Sequence, residues 1–398
     1  MTTPARRYLD HPATSWPKPA PVLSEILRAV RDLGGAAGRG THGAARAADD
    51  VRARARRAAA RIAGGADPAR VALVSGATLG LNMAIQGLLR PGWHVIATAA
   101  DHNATLRPLH RLVERGVVEL TVVPCDGGGR VDVGAIEEAW RAGTRAVVFS
   151  HASNVTGTLQ DAAAITAVAR RRGAITILDA AQTAGIVPLD VGADVVVAPG
   201  HKWLQGPQGV ALVSVREGLE PEPLVQGGTG SESGSLTMPA ALVERMEAGT
   251  PDLGALAGFV AAEEWLRAYG TALPAHGKRL AAACRAGLDA IDGVRTIGGG
   301  GDGPPIVAFT VEGYDPAEVA VLLEQLAGVE ARAGLHCAAL VHDCLGTAPG
   351  GTVRVGFGPF NTPADARAVA AAVAEIRGVP APVVAFDDSP SEVPPWQT

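Results

Sequence analysis

Short, continuous apolar runs rich in β-branched residues constrain this chain's fold more than any other feature. Val71–Val74, His94–Thr98, Val117–Val123, Arg145–Ser150, Ala174–Leu178 and Asp194–Ala198 each read as a strand buried on both faces, and Gly209–Val215 adds another. Helical patterns separate them at Leu79–Leu89, Leu106–Arg115, Asp132–Ala142 and Ala162–Arg172. This alternation predicts an α/β fold, with one large, mostly parallel sheet covered by helices on both faces. Further helices are expected at Val22–Leu33, Ala44–Ala63 and Leu253–Tyr269. From about residue 270 the order becomes helix, strand (Pro305–Val311), helix (Pro316–Leu326), short strand (Val329–Arg332), loop, strand (Thr352–Gly356) and helix (Pro363–Arg377), a smaller α+β unit. The expected organisation is an extended Pro-rich segment over 1–21, a large domain over 22–269, a small C-terminal α+β domain over 270–378 and a mobile Pro-rich tail over 379–398.

Composition excludes several classes. The 398 residues are 47% apolar, enough for a large core, and the net charge of −5 gives no electrostatic reason to expect nucleic acid or an anionic membrane. Arginine clusters such as Arg170–Arg171–Arg172 read as solvated helix faces. No apolar run approaches the roughly 18–20 residues of a membrane span. The four cysteines, Cys125, Cys284, Cys337 and Cys344, form no C-x-x-C pair, and no signal peptide is visible. Reduced thiols in the cytoplasm are expected, with no metal site.

The strand ends carry the chemistry. Polar clusters recur there, at His102–Asn103, His151–Asn154–Thr156, Asp179–Gln182 and His201–Lys202. A series converging on one sheet edge describes a pocket. An acid and a lysine held at carboxyl strand ends suit pyridoxal phosphate, the lysine bonding to the cofactor aldehyde and the acid partnering its ring nitrogen. A plain salt bridge is the alternative for any single Asp/Lys pair. Lysine scarcity argues against it, since the chain has only Lys18, Lys202 and Lys278 among 35 Lys and Arg residues. Arginine cannot form the imine, and Lys18 and Lys278 read as solvated charges. Ser75–Gly76–Ala77–Thr78, between a strand and a helix, is either an anion site at a helix start or an ordinary cap by Ser75 or Thr78. The Gly34–His42 loop is no dinucleotide fingerprint, because no strand precedes it.

Taken together these motifs resemble the class V aminotransferase-fold enzymes of the cysteine desulfurase and selenocysteine lyase group. The likeness runs from Tyr8–Leu9–Asp10–His11–Pro12–Ala13–Thr14 to Phe360–Asn361–Thr362. It includes Ser75–Thr78, Asp101–His102–Asn103, Ser150–Gly157, Asp179–Gln182, Gly200–Lys202, Glu247–Pro251 and Gly334–Leu335–His336–Cys337–Ala338. The resemblance implies the pyridoxal-phosphate-dependent transferase fold type I. It implies that Lys202 bonds to pyridoxal 5'-phosphate, that Asp179 faces the ring nitrogen and that Gln182 meets the phenolic oxygen. His102 stacks on the ring and moves protons, while Asn154 holds ring or substrate. Ala77, Thr78 and His201 take the phosphate, and Thr250 reaches the phosphate of a neighbouring subunit, implying a homodimer with shared sites.

For the substrate, the resemblance assigns the α-carboxylate to Arg354, with Arg332, Arg39 and His42 near the site mouth. Along Thr352–Gly356 alternate residues face opposite sides, so a buried Arg354 needs an anion beside it. Cys337 decides the reaction class. It follows His336 in a Gly-flanked loop near Arg332, which suits an activated thiolate. The resemblance implies that it takes sulfur from L-cysteine as a persulfide, releases alanine and passes the sulfur to an acceptor protein. Two departures stand out: Pro199 replaces a common hydroxyl donor to the phosphate, and Ala339 replaces a proline after the His–Cys–Ala motif. Cys344, seven residues after Cys337, reads as either a resolving thiol or packing, with packing favoured. Two other readings remain open: a C–S or C–Se lyase, epimerase or aminotransferase that does not need Cys337, and a non-enzymatic sulfur carrier or partner-binding protein with a degenerate site.

Overall fold

The computed structural model describes residues 4–384 and 394–397. Its centre is a seven-stranded sheet. In chain order the strands are β1 (Val71–Val74), β2 (Trp93–Thr98), β3 (Val118–Val123), β4 (Thr144–Ser150), β5 (Ile175–Asp179), β6 (Val195–Pro199) and β7 (Ala211–Val215). They lie side by side as β1-β7-β6-β5-β4-β2-β3, and only β7 runs antiparallel to its neighbours. The α/β fold read from the apolar runs is therefore the observed one.

Both faces of the sheet are buried, which explains the unbroken apolar runs. Phe149, Leu178 and Leu212 face the helices Gly43–Ile62 and Leu253–Tyr269. Val148, Ile177 and Val213 face the helices Ala77–Leu88 and Asn103–Glu114. Each such side chain contributes roughly 1.5–3 kcal/mol of burial. Gly80 lets the Ala77–Leu88 helix lie close on the sheet, since a Cβ there would meet Val213 at 2.7 Å and Val197 at 2.9 Å. Register sets the polar ends level, with Ser150 beside Asp179 and Asp179 beside Val197.

A second, antiparallel sheet comprises β8 (Val294–Ile297), β9 (Ile306–Val311), β10 (Arg332–Gly334) and β11 (Thr352–Gly356), in the order β10-β11-β9-β8. Strand β8 carries only one fully buried apolar residue, Ile297, so periodicity did not reveal it. The run expected as one strand over Val329–Arg332 is two. Val329–Glu330 pairs with Arg7–Tyr8, and Arg332 starts β10. The stretch expected as loop between β10 and β11 contains the helix Ala339–Leu345.

Of the segment expected to be extended over 1–21, residues 4–19 hold the short strand Arg7–Tyr8 and a turn at 11–13, and a helix starts at Ala20, inside the expected span. This N-terminal segment straps the two sheets together. The Gly356 amide donates to the Leu9 carbonyl at 2.7 Å, Gln182 donates to the Pro12 carbonyl at 3.0 Å, and the Ser15 amide donates to the His201 carbonyl at 2.9 Å. Lys18 is not the solvated charge its setting implied. Its ammonium donates to Ser15 Oγ at 2.7 Å and the His201 carbonyl at 3.0 Å, and burial lowers its pKa to about 8. Of the tail expected to be mobile, residues 385–393 and 398 lie outside the described ones. Near its end, the Trp396 indole donates to the Pro359 carbonyl at 2.9 Å and meets Tyr269 edge-on.

Candidate active site

Ala77, Thr78, His102, Asn154, Asp179, Gln182, His201 and Lys202 line one cavity at the carboxyl ends of the parallel strands. The Ala77–Leu88 helix opens on it with Gly76 at the N-cap and no side-chain cap. Its first backbone N–H groups and its positive dipole end therefore remain for an anion. This answers the question left open at Ser75–Thr78, because neither hydroxyl caps the helix. Pro199 also lines the cavity and offers no donor.

Asp179 ends β5, and its Oδ1 accepts from the Ala181 amide at 2.9 Å. Burial raises its pKa even with Lys202 nearby. Lys202 is pulled down to about 8, first by burial and against the attraction of Asp179. Both groups thus move toward their neutral forms, so desolvation outweighs their mutual attraction. A lysine near 8 keeps a substantial amine fraction, which bond formation to an aldehyde requires.

His102 caps the Asn103–Glu114 helix, its Nδ1 accepting from the Ala104 amide at 2.9 Å. The neutral ring therefore carries its proton on Nε2. Burial and then Lys202 hold its pKa down at about 4, so the ring is neutral near pH 7. The Gln182 amide is held between Pro12 and the Trp203 indole, which donates to Oε1 at 2.8 Å. One amide proton is left over. Asn154 Nδ2 donates to the His336 carbonyl at 2.7 Å, while its Oδ1 is buried without a partner among the described residues.

Arg354, in β11, is only 1% exposed. The anion its burial demanded is Asp10, whose Oδ1 accepts from Arg354 Nη2 at 2.7 Å. Nη1 donates to the Asn154 carbonyl at 2.8 Å, and Nε is buried without a partner among the described residues. Arg332, paired across β10 and β11 with Arg354, points Nη2 at Cys337 Sγ from 3.5 Å. Cys337 is exposed. It and His336 adopt φ of 58° and 50°, a left-handed pair that non-glycine residues rarely form. The Asn103 amide anchors this turn by donating to the Cys337 carbonyl at 2.7 Å.

Arg354, Arg332 and Cys337 adjoin this cavity through Asn154 and Asn103 and do not line it, and three more expected residues lie farther off. Thr250 borders a separate cavity with Ser75 and Glu247. Arg39 reaches the Gly228 carbonyl at 3.3 Å, and His42 caps the Gly43–Ile62 helix. Two acids with no assigned role belong to the site. One is Asp10. The other is Asp101, buried, accepting from the Thr98 amide at 2.8 Å and the Ser150 amide at 2.6 Å. Burial lifts Asp101 to about 7, with Asp179 adding to the effect. Both acids sat inside quoted motifs, and for Asp101 a carboxylate just past an apolar strand end was the available signal. The Cys344 thiol lies against Cys125.

The residues fit pyridoxal phosphate on their own chemistry. They supply a buried amine, an acid, a helix start with no side-chain cap, and two buried atoms without partners among the described residues, His201 Nδ1 and Asn154 Oδ1. A mostly parallel α/β sheet covered on both faces, with this lysine and acid at its carboxyl end, defines the fold type I enzymes that use this cofactor. The chain matches the aminotransferase class V profile over residues 7–369, and it belongs to that family. It is 32% identical to a probable cysteine desulfurase of Methanothermobacter thermautotrophicus over 94% of this chain and 95% of that one. It is 34% identical to probable cysteine desulfurase 2 of Mycobacterium leprae over 89% and 88%. The apo cysteine desulfurase of Thermococcus onnurineus NA1 superposes with a TM-score of 0.86 at 26% identity, covering 94% of this chain and 95% of that one.

Proposed function

We propose that this chain is a pyridoxal-phosphate-dependent cysteine desulfurase that moves the sulfur of L-cysteine onto Cys337 and releases alanine. The observation that carries this reading is the exposed Cys337, set beside Arg332 on a turn anchored to Asn103 and Asn154. Bound in the cavity, the cofactor supplies an electron sink for the pair released at the substrate's Cα. Lys202 would hold it covalently and Asp179 would favour a protonated ring nitrogen, while Gln182 and His102 would contact its ring and the Ala77–Thr78 helix start and His201 would take its phosphate. Arg354 grips the substrate carboxylate, which fixes the Cα–H bond relative to the ring. The Lys202 amine, once displaced, takes the α-proton. The Cys337 thiolate then forms an S–S bond to the substrate sulfur as the C–S bond breaks. That electron pair stays on Cβ, which gains a proton, and the proton held by Lys202 goes back to Cα, so that alanine leaves and the Lys202 amine is regenerated.

An exposed persulfide suits transfer to an acceptor protein. Thr250, Arg39 and His42, all outside the chain's own cavity, support a homodimer in which each subunit completes its neighbour's site. No helix among the described residues is long and apolar enough to cross a membrane.

Alanine and persulfide are measured with L-cysteine and the Cys337→Ala variant. Loss of both products with the bound chromophore retained is expected. Unchanged alanine release overturns the persulfide route, and pyruvate with ammonia in its place identifies a lyase.

A further inference from the structure

The geometry points to Asp10 as a resident stand-in for the substrate carboxylate, a charge that every substrate must share or displace at Arg354. This rests on the reading of Arg354 given above. Asp10 does not reach Arg354 by chance of a floppy terminus. Arg7–Tyr8 is paired to Val329–Glu330, Asp10 bridges to Gly356, and the Tyr8 hydroxyl donates to the Asp10 carbonyl at 3.2 Å. Backbone pairing on both sides thus aims the carboxylate at the guanidinium two residues before Gly356. Its side chain keeps 23% exposure while Arg354 has 1%, so the carboxylate sits on the solvent side of the arginine.

The electrostatics set the direction of the effect. An unpaired buried guanidinium is costly, and Asp10 removes that cost while the site is empty. An arriving carboxylate meets an arginine already neutralised and a like charge beside it. Arg354 still has capacity for a ligand, because Nε lacks a partner among the described residues. Asp10 also bears on Lys202, whose ammonium form it favours. It therefore acts as a positioning and specificity residue: it holds the fork through one hydrogen bond and lowers the affinity for any carboxylate.

Asp10→Asn separates these roles, since the amide oxygen can still accept from Nη2 while the charge is gone. The probe is 3-mercaptopropionate, which has cysteine's carboxylate and sulfur but no amine to displace Lys202. Calorimetry on the holoenzyme is expected to show Asp10→Asn binding it about tenfold tighter than the unsubstituted enzyme. KM for L-cysteine should fall with little gain in kcat, and Asp10→Glu should bind as the unsubstituted enzyme does. Asp10→Ser repeats the test with a smaller acceptor should Asn disturb folding. Equal or weaker binding by both neutral variants overturns the inference. Arg354→Lys keeps the two readings apart. If it leaves probe binding unchanged, the role of Arg354 itself fails. If it weakens binding while the Asp10 variants do nothing, only the resident-carboxylate inference fails.

Discussion

The Lys202 pocket and the Cys337 turn are held in place by different means. The pocket floor is the end of a sheet buried on both faces, and its polar groups inherit their positions from strand register. The Cys337 turn has no such frame. It is exposed, takes two consecutive left-handed residues and depends on the Asn103 amide, the Asn154 side chain and a bond from His336 Nε2 to the Thr352 carbonyl at 3.0 Å. The contrast matches the division of labour. A cofactor needs a fixed, enclosed seat, whereas a thiol that must both collect and deliver sulfur has to face outward. The seat also tolerates buried charge by driving groups toward neutrality, while the turn keeps its sulfur beside an arginine at the surface.

The comparison is broken most severely at the floor. Lys202→Ala should remove cysteine turnover altogether and abolish borohydride fixation of the chromophore. Comparable damage to fixation from a change at Cys337 would show that the two regions are not separate. Acid gives the next largest effect. His102, His151 and His201 have an ordinary value of 6.5 and are each held near 4 by burial. In the unfolded chain they gain protons as pH falls through 6.5, while in the folded chain they stay neutral until about 4. The unfolded state thus binds more protons in that window, and stability should fall by about 1.4 kcal/mol per pH unit for each histidine. Asp101, held up near 7, acts with opposite sign and offsets part of this. Urea midpoints recorded between pH 6.5 and 4.5 test it, and a flat or rising series would contradict the burial argument. The smallest effect sharpens the picture of the turn. Cys337→Gly should be more stable than Cys337→Ala by about 1 kcal/mol, because only glycine escapes the Cβ strain at this φ. Equal thermal stability would mean that the turn carries no strain.

What the sequence made legible follows the same line. The Ile175–Asp179 and Val195–Pro199 strands are continuous apolar runs with nothing else they could be, and Asp179 and Lys202 at their ends follow directly. Strand β8 and the helix Ala339–Leu345 escaped because Val294–Ile297 has little apolar periodicity and the helix is short, with a glycine closing it at Gly346. The partner of Arg354 could be demanded but not named. Its burial required an anion, yet periodicity cannot pair a residue with one 344 positions earlier. The burial of Lys18 escaped for the same reason, since one of its acceptors is the His201 carbonyl, 183 positions later.

The N-terminal strap also has a consequence in time. Arg7–Tyr8 finds its place only against Val329–Glu330. A ribosome makes the strap's residues long before their partner strand exists, so they must wait unpaired until nearly the whole chain has emerged. Contacts of such sequence separation form late, after closure of a very long loop. The large sheet can assemble before the strap closes, but Asp10 cannot meet Arg354 until then. The Asp10–Arg354 pair is therefore among the last contacts to form, and until it does Arg354 carries its charge without the carboxylate that tempers substrate binding.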